Sequence, residues 1–182
     1  KLVIIGAGVI GVEFASIFNT YGSQVTLIEN MPLVLNQLDA EISKRKAIFL
    51  KRQGITVHTS TLVNEIVETE DSLIVKAEGK KGPIEVEADI VLVASGRSAQ
   101  IDGLNLERLG IIKENGFIKV NENYLTNLDG IYAIGDVVGE PMLAHVASEE
   151  GIAVVEHIAG DSKAKVDYHA VPSCIFTFPE IA

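Results

Sequence analysis

The chain has 182 residues, 47% of them hydrophobic, a net charge of −10 and a single cysteine. That is enough apolar material for a full core, so disorder is excluded, and one thiol excludes both an internal disulfide framework and an internal redox pair. The acidic surface disfavours nucleic acid and anionic membranes as partners, so any phosphate must be held locally by backbone amides.

In chain order, Leu2 to Ile5 predicts a buried strand that begins directly after Lys1, which reads as a piece cut from a longer chain with no leader. The apolar run that starts there is stopped by Glu13, far short of the roughly 20 residues a spanning helix needs. The 3–4 spacing of Ile10, Phe14, Ile17 and Phe18 predicts a helix face, stopped by Gly22. Val25 to Ile28 predicts a second strand. A helix follows, with Asp39 as N-cap, Ile42, Ile48 and Phe49 set among charges, and Gly54 as its C′ glycine. Ile55 to His58 predicts a third strand, giving a doubly wound α/β half-sheet of Rossmann type.

The texture then changes. Leu62 to Glu68, Leu73 to Ala77 and Ile84 to Val86 read as a small antiparallel β-meander, and Ile90 to Val93 as a central parallel strand. Further on come a short helix at Leu104 to Leu109, paired strands at Phe117 to Val120 and Tyr124 to Leu125, and a helix from Pro141 to Gly160. The expected division is residues 1–96 for a nucleotide-binding domain, 97–170 for a central segment and 171–182 for the start of a further domain.

Gly6, Gly8 and Gly11 spell G-x-G-x-x-G between a strand and a helix, the context in which that motif binds a dinucleotide. Gly6 permits the tight turn, Gly8 admits a pyrophosphate to the backbone, and Gly11 lets helix pack on strand. The candidate loop therefore comprises Gly6, Ala7, Gly8, Val9, Ile10, Gly11, Val12 and Glu13, with phosphates held by helix N-terminal amides and dipole. Glu29, 23 positions after Gly6, ends the second strand, where a carboxylate accepts from both ribose hydroxyls. It would repel a 2′-phosphate, so NAD(H) is expected and NADP(H) is not. No metal-ligand spacing appears among the four histidines and the lone cysteine. Cys174 is expected to be a small buried hydrophobe.

Four segments carry a family resemblance. TNLDGIYAIGD, from Thr126 to Asp136, resembles the flavin-returning motif of flavin-dependent disulfide oxidoreductases, and ASGR, from Ala94 to Arg97, resembles the motif closing their NAD domain. MLAHVASEEG, from Met142 to Gly151, is similar to the form of the following helix in dihydrolipoamide dehydrogenases, and PSCIFTFPEIA resembles the opening of their dimer-forming domain.

The resemblance implies FAD and NAD as cofactors, Asp136 on the ribityl chain, and Met142, Leu143, Ala144 and His145 lining the flavin. It places Gly96 and Glu13 near the nicotinamide and Val63 on the adenine. It also implies a parent that oxidises dihydrolipoamide through a redox disulfide and FAD to NAD⁺, as a homodimer within 2-oxo-acid dehydrogenase complexes of a cytoplasm or organelle matrix. The cysteine pair and the His–Glu couple of that chemistry cannot be placed here, so the chain is expected to bind NAD(H), hold no catalytic residue and lack turnover. Two alternatives are a piece of an NADH oxidase or coenzyme A-disulfide reductase, and a non-catalytic NAD(H)-sensing module.

Overall fold

The computed structural model describes every residue except Glu140 and Ser162. They form two compact units, one of residues 1–96 with 173–182 and the other of residues 97–172.

The first unit is built on a four-stranded parallel sheet of order β3-β2-β1-β7, from β1 (Leu2–Ile5), β2 (Val25–Ile28), β3 (Thr56–His58) and β7 (Ile90–Val93). Alternation along β1 decides what covers each face. Leu2 and Ile4 pack with Leu27, Leu50 and Ile55 on the side of helices α1 (Val9–Thr20) and α2 (Ala40–Arg52). Val3 faces the other way, against Val75 and Ala88 of the antiparallel meander β4 (Thr61–Glu68), β5 (Leu73–Gly79) and β6 (Gly82–Ala88). The meander thus occupies the sheet face that a crossover helix covers in a regular doubly wound fold.

Both helices turn a different face inward from the one their large apolar residues mark. In α1 the buried residues are Gly11, Val12 and Ala15, while Ile10, Phe14, Ile17 and Phe18 are partly exposed and Phe14 stacks on Phe18. Small residues win because the helix must lie close to the sheet: a Cβ on Gly11 would sit 1.9 Å from the Gly6 carbonyl oxygen. In α2 the inward stripe is Ser43, Lys46 and Leu50, and Ile42, Ile48 and Phe49 are exposed. That polar stripe is satisfied by distant carbonyls, the Ser43 hydroxyl donating to Leu35 O at 3.0 Å and the Lys46 ammonium to Pro179 O at 2.8 Å and to the Thr177 hydroxyl. Asp39 caps α2 as expected, accepting from the Glu41 and Ile42 amides.

Residues 173–182 lie on this helical side, with Ile175 and Ile181 in the core and Cys174 only partly buried, short of the burial expected of it. Three side chains fasten the segment: Lys46 as above, Gln53, whose Nε2 donates to Phe178 O at 2.8 Å, and Glu13, whose Oε1 accepts from the Phe176 amide at 2.8 Å.

In the second unit α3 is shorter than expected (Leu106–Leu109), and the strand pairing is one hairpin earlier than expected. β8 (Lys113–Glu114) pairs with β9 (Phe117–Ile118), and Leu125 bridges Tyr132. Asn115 and Gly116 between the strands have φ of 51° and 87°, the two positive values of a type I′ turn. That Asn-Gly pair is the hairpin signal that fixes the register. Helix α4 (Ala144–Ile158) starts three residues after Pro141, because Leu143 stays extended at φ −126° and ψ 131° as its N-cap. Gly160, just past the C-cap Ala159, has φ 104°.

Candidate functional site

In the first unit the chain leaves β1 at Gly6, whose φ of 102° only glycine adopts freely and whose added Cβ would lie 2.4 Å from Ala94 O. Gly6 N–H donates to Ile28 O at 2.8 Å, tying the turn to the end of β2. Gly8 then caps α1 with no side chain, so the first-turn amides receive no side-chain acceptor. A Cβ built on Gly8 meets nothing within 4 Å. The three glycines therefore do different work: two are forced by backbone contact, and the third keeps open the space in front of a helix N-terminus.

That space belongs to a cavity of about 660 Å³. Gly6, Ala7, Gly8, Glu29, Val63 and Gly96 all line it, so residues up to 90 positions apart in the chain converge there. Among the described residues Glu29 is the only charged one in the lining. Its Oε2 accepts from the Ala7 amide at 2.6 Å and its Oε1 from the Met31 amide at 2.7 Å. A carboxylate offers about four acceptor sites, so two remain for hydroxyl donors after both backbone bonds.

The other loop candidates stand apart from this lining. Val12 is fully buried, Val9 packs against the core and Gly11 is pressed against Gly6, so these three shape the loop rather than face the cavity. Ile10 is partly exposed, and the Glu13 carboxylate is engaged by the Phe176 amide. Asn36, Gln37, Thr61 and Ser95 line the cavity without having been singled out from sequence. Asn36 and Gln37 arrive because Leu35 N–H donates to Ala7 O at 2.7 Å, which folds the loop after β2 back over the glycines. No local sequence signal marks that bond.

The second unit gathers the remaining candidates. Asp136 lies in a short 3-10 turn (Gly135–Val138), half-exposed, with its Oδ2 held 2.6 Å from Arg97 Nη1. Arg97 Nη2 also donates to Met142 O at 3.0 Å, so one guanidinium joins Asp136 to the residues before α4. Leu143 and Ala144 form the α4 N-cap and first turn, and the His145 ring nitrogen Nε2 lies 3.1 Å from Pro172 O. Behind the turn, buried Glu150 accepts from the Gly135 amide at 2.7 Å and from the Tyr168 hydroxyl at 2.6 Å. Neither Glu150 nor Tyr168 is among the site residues expected from sequence. Among the described residues no His, Cys, Asp and Glu cluster could hold a metal ion, and no helix is long and apolar enough to cross a membrane.

The donor set fits a dinucleotide in the first unit: open backbone at Gly8, an uncapped helix N-terminus, a carboxylate with free lone pairs and no cation. Along its whole length the chain is similar to known proteins. Residues 1–151 match the family described as pyridine nucleotide-disulphide oxidoreductase. The whole chain is 43% identical to the dihydrolipoyl dehydrogenase of Bacillus subtilis and 42% identical to the mitochondrial dihydrolipoyl dehydrogenase of Pisum sativum, covering 39% and 37% of those proteins. Among solved structures, 98% of the chain superposes on the HOCl-induced flavoprotein disulfide reductase RclA of Escherichia coli, with a TM-score of 0.89 and 32% identity over 40% of that chain. LpdA of Mycobacterium tuberculosis gives a TM-score of 0.88 at 28% identity. The chain spans under two-fifths of the length of the two dehydrogenases it matches. A glycine loop on a doubly wound sheet, followed by a flavoprotein-like second unit, is thus matched by sequence and by structure alike, and the chain belongs to the pyridine nucleotide-disulphide oxidoreductase family.

Proposed function

We propose that this chain is the NAD(H)-binding part and an adjoining flavin-facing part of a dihydrolipoamide dehydrogenase. The carrying observation is the cavity before α1, whose only charged lining residue is Glu29. Pyrophosphate would be held by the α1 N-terminal amides exposed at Gly8, where dipole and free N–H groups substitute for a basic side chain. Glu29 would take the adenosine ribose hydroxyls on its remaining lone pairs, and a 2′-phosphate would meet like charge with no arginine in the lining. Val63 would pack on the adenine, and Gly96 and Glu13 would lie toward the nicotinamide. Bound nicotinamide supplies a hydride acceptor.

In the second unit, Asp136 and the segment Met142 to His145 would contact FAD, the flavin being the parent's second cofactor. Residues 171–182 would open the dimer-forming domain of a homodimeric parent, which would oxidise dihydrolipoamide within a 2-oxo-acid dehydrogenase complex of a bacterial cytoplasm or an organelle matrix. The identity to dihydrolipoyl dehydrogenases over the full chain supports that choice within the family. With one cysteine the 182-residue chain cannot form the redox disulfide, so its own function is cofactor binding.

NADH fluorescence titrated into the purified chain tests this. A saturating signal is expected, with no turnover of lipoamide and no bound flavin colour. A signal that never saturates would overturn the nucleotide reading, and lipoamide turnover by the chain alone would overturn its restriction to binding.

A further inference from the structure

Glu150 is almost wholly buried, at 3% exposure, and among the described residues no lysine, arginine or histidine is bonded to it. A buried carboxyl group without a cation beside it needs hydrogen bonds to both oxygens. Here both oxygens are used. Oε2 accepts from the Gly135 amide at 2.7 Å, and Oε1 accepts from the Tyr168 hydroxyl at 2.6 Å, both in the range of charge-assisted bonds. Burial first, and the Glu150 carboxylate next, push the Tyr168 hydroxyl pKa well above its ordinary value, so the phenol keeps its proton. Tyr168 and Tyr124 hydroxyls lie 3.1 Å apart. Of the two acceptors that the Tyr168 hydroxyl reaches, the Glu150 carboxylate at 2.6 Å is the nearer.

The rest of the α4 face agrees with this use. Ala147, Glu150 and Gly151 share one side of the helix at i, i+3 and i+4. A Cβ on Gly135 would sit 3.1 Å from the Ala147 Cβ, and a Cβ on Gly151 would sit 3.3 Å from Ile134 Cδ1. Small residues at 147 and 151 let the 134–135 backbone reach the helix, and Glu150 receives its amide. The next residue is Asp136, whose Oδ2 is tied to Arg97.

We infer that Glu150 is a positioning residue for the flavin-facing turn. It fixes the Gly135 amide from behind while Arg97 fixes the Asp136 carboxylate from the side, leaving Asp136 Oδ1 presented for a ribityl hydroxyl. Tyr168 holds the second oxygen of Glu150 and so ties residues 166–170 into the same scaffold. This inference rests on the reading of Asp136 as a flavin contact.

The test uses the whole chain, isotope-labelled, with FAD as the probe and Glu150→Gln, Glu150→Ala, Tyr168→Phe and Asp136→Asn as variants. Methyl resonances of Ile111 and Ile118, in a cluster distant along the chain from Glu150, report that the second unit stays folded. The Gly135 amide proton is expected far downfield in the parent chain. It should move upfield in Glu150→Gln and further in Glu150→Ala, and stay in place in Asp136→Asn.

The FAD dissociation constant, followed at the Met142 to His145 amides, is expected to rise at least about five-fold in Glu150→Gln and comparably in Asp136→Asn, with Tyr168→Phe smaller. An unmoved Gly135 amide, or FAD binding unchanged in both Glu150 variants while Asp136→Asn weakens it, overturns the positioning role. FAD binding insensitive to Asp136→Asn overturns the flavin reading instead, and the Gly135 amide then still decides whether Glu150 positions the turn.

Discussion

Each unit carries a tight turn, and the two turns are fixed in different ways. In the first, the Gly6–Gly8 turn is shaped by what is missing: glycines allow backbone to approach backbone, and the helix N-terminus is left uncapped. In the second, the Gly135–Asp136 turn is held by what is present, a buried carboxylate behind it and a guanidinium beside it. The first turn is intolerant of added atoms at Gly6 and Gly11, and its one carboxylate bond runs from the Ala7 amide to Glu29. The second turn has tight contacts of its own, Gly135 on Ala147 and Gly151 on Ile134, and depends in addition on the side chains of Glu150 and Arg97.

The comparison breaks most visibly at Gly11. Gly11→Ala places a methyl carbon against the Gly6 carbonyl, with no flexible side chain to give way, and should cost roughly 3 kcal/mol of first-unit stability together with NADH binding. Denaturant unfolding with a parallel titration checks this. A stable variant would mean that the close approach of α1 to the sheet is not needed.

Gly8→Ala and Glu29→Gln sharpen the same contrast. The space at Gly8 is empty and its φ of −71° suits any residue, so alanine there should change stability by under about 1 kcal/mol while NADH affinity falls about ten-fold. Glu29→Gln removes the charge but keeps one acceptor. It should weaken NADH about ten-fold and narrow the gap to NADPH.

The smallest expected effect is at Lys46. Burial holds its pKa below the ordinary 10.5, so between the folded value and 10.5 the unfolded chain binds more protons and stability rises with pH. Relative to Lys46→Met, the parent chain should therefore gain stability as pH climbs toward 10.5 from below, and parallel curves would show that burial does not shift this lysine.

Much of the first unit is legible in the sequence because its signals are local. The strand before Gly6, the glycine spacing, the acid ending β2 and the Asp39 cap all lie within a few residues of the elements they define. The α2 face is not legible: Ile42, Ile48 and Phe49 suggest an apolar side, yet Lys46 goes inward because its acceptors, Thr177 and Pro179, come from more than 130 positions away. Glu150 is hidden for the same reason, since its donors come from Gly135 and Tyr168, 15 and 18 positions off. The Asn115–Gly116 hairpin is different in kind, being a local signal that outweighs the longer apolar runs beside it.

The central claim is that a cavity with one negative charge and no cation is built for a nucleotide carrying pyrophosphate and free ribose hydroxyls. Side-by-side titration of the chain with NADH and NADPH under one salt condition tests it most directly. The account predicts saturable NADH binding at least about ten-fold tighter than NADPH, the discrimination set by Glu29. Equal affinities, or tighter binding of NADPH, would contradict it.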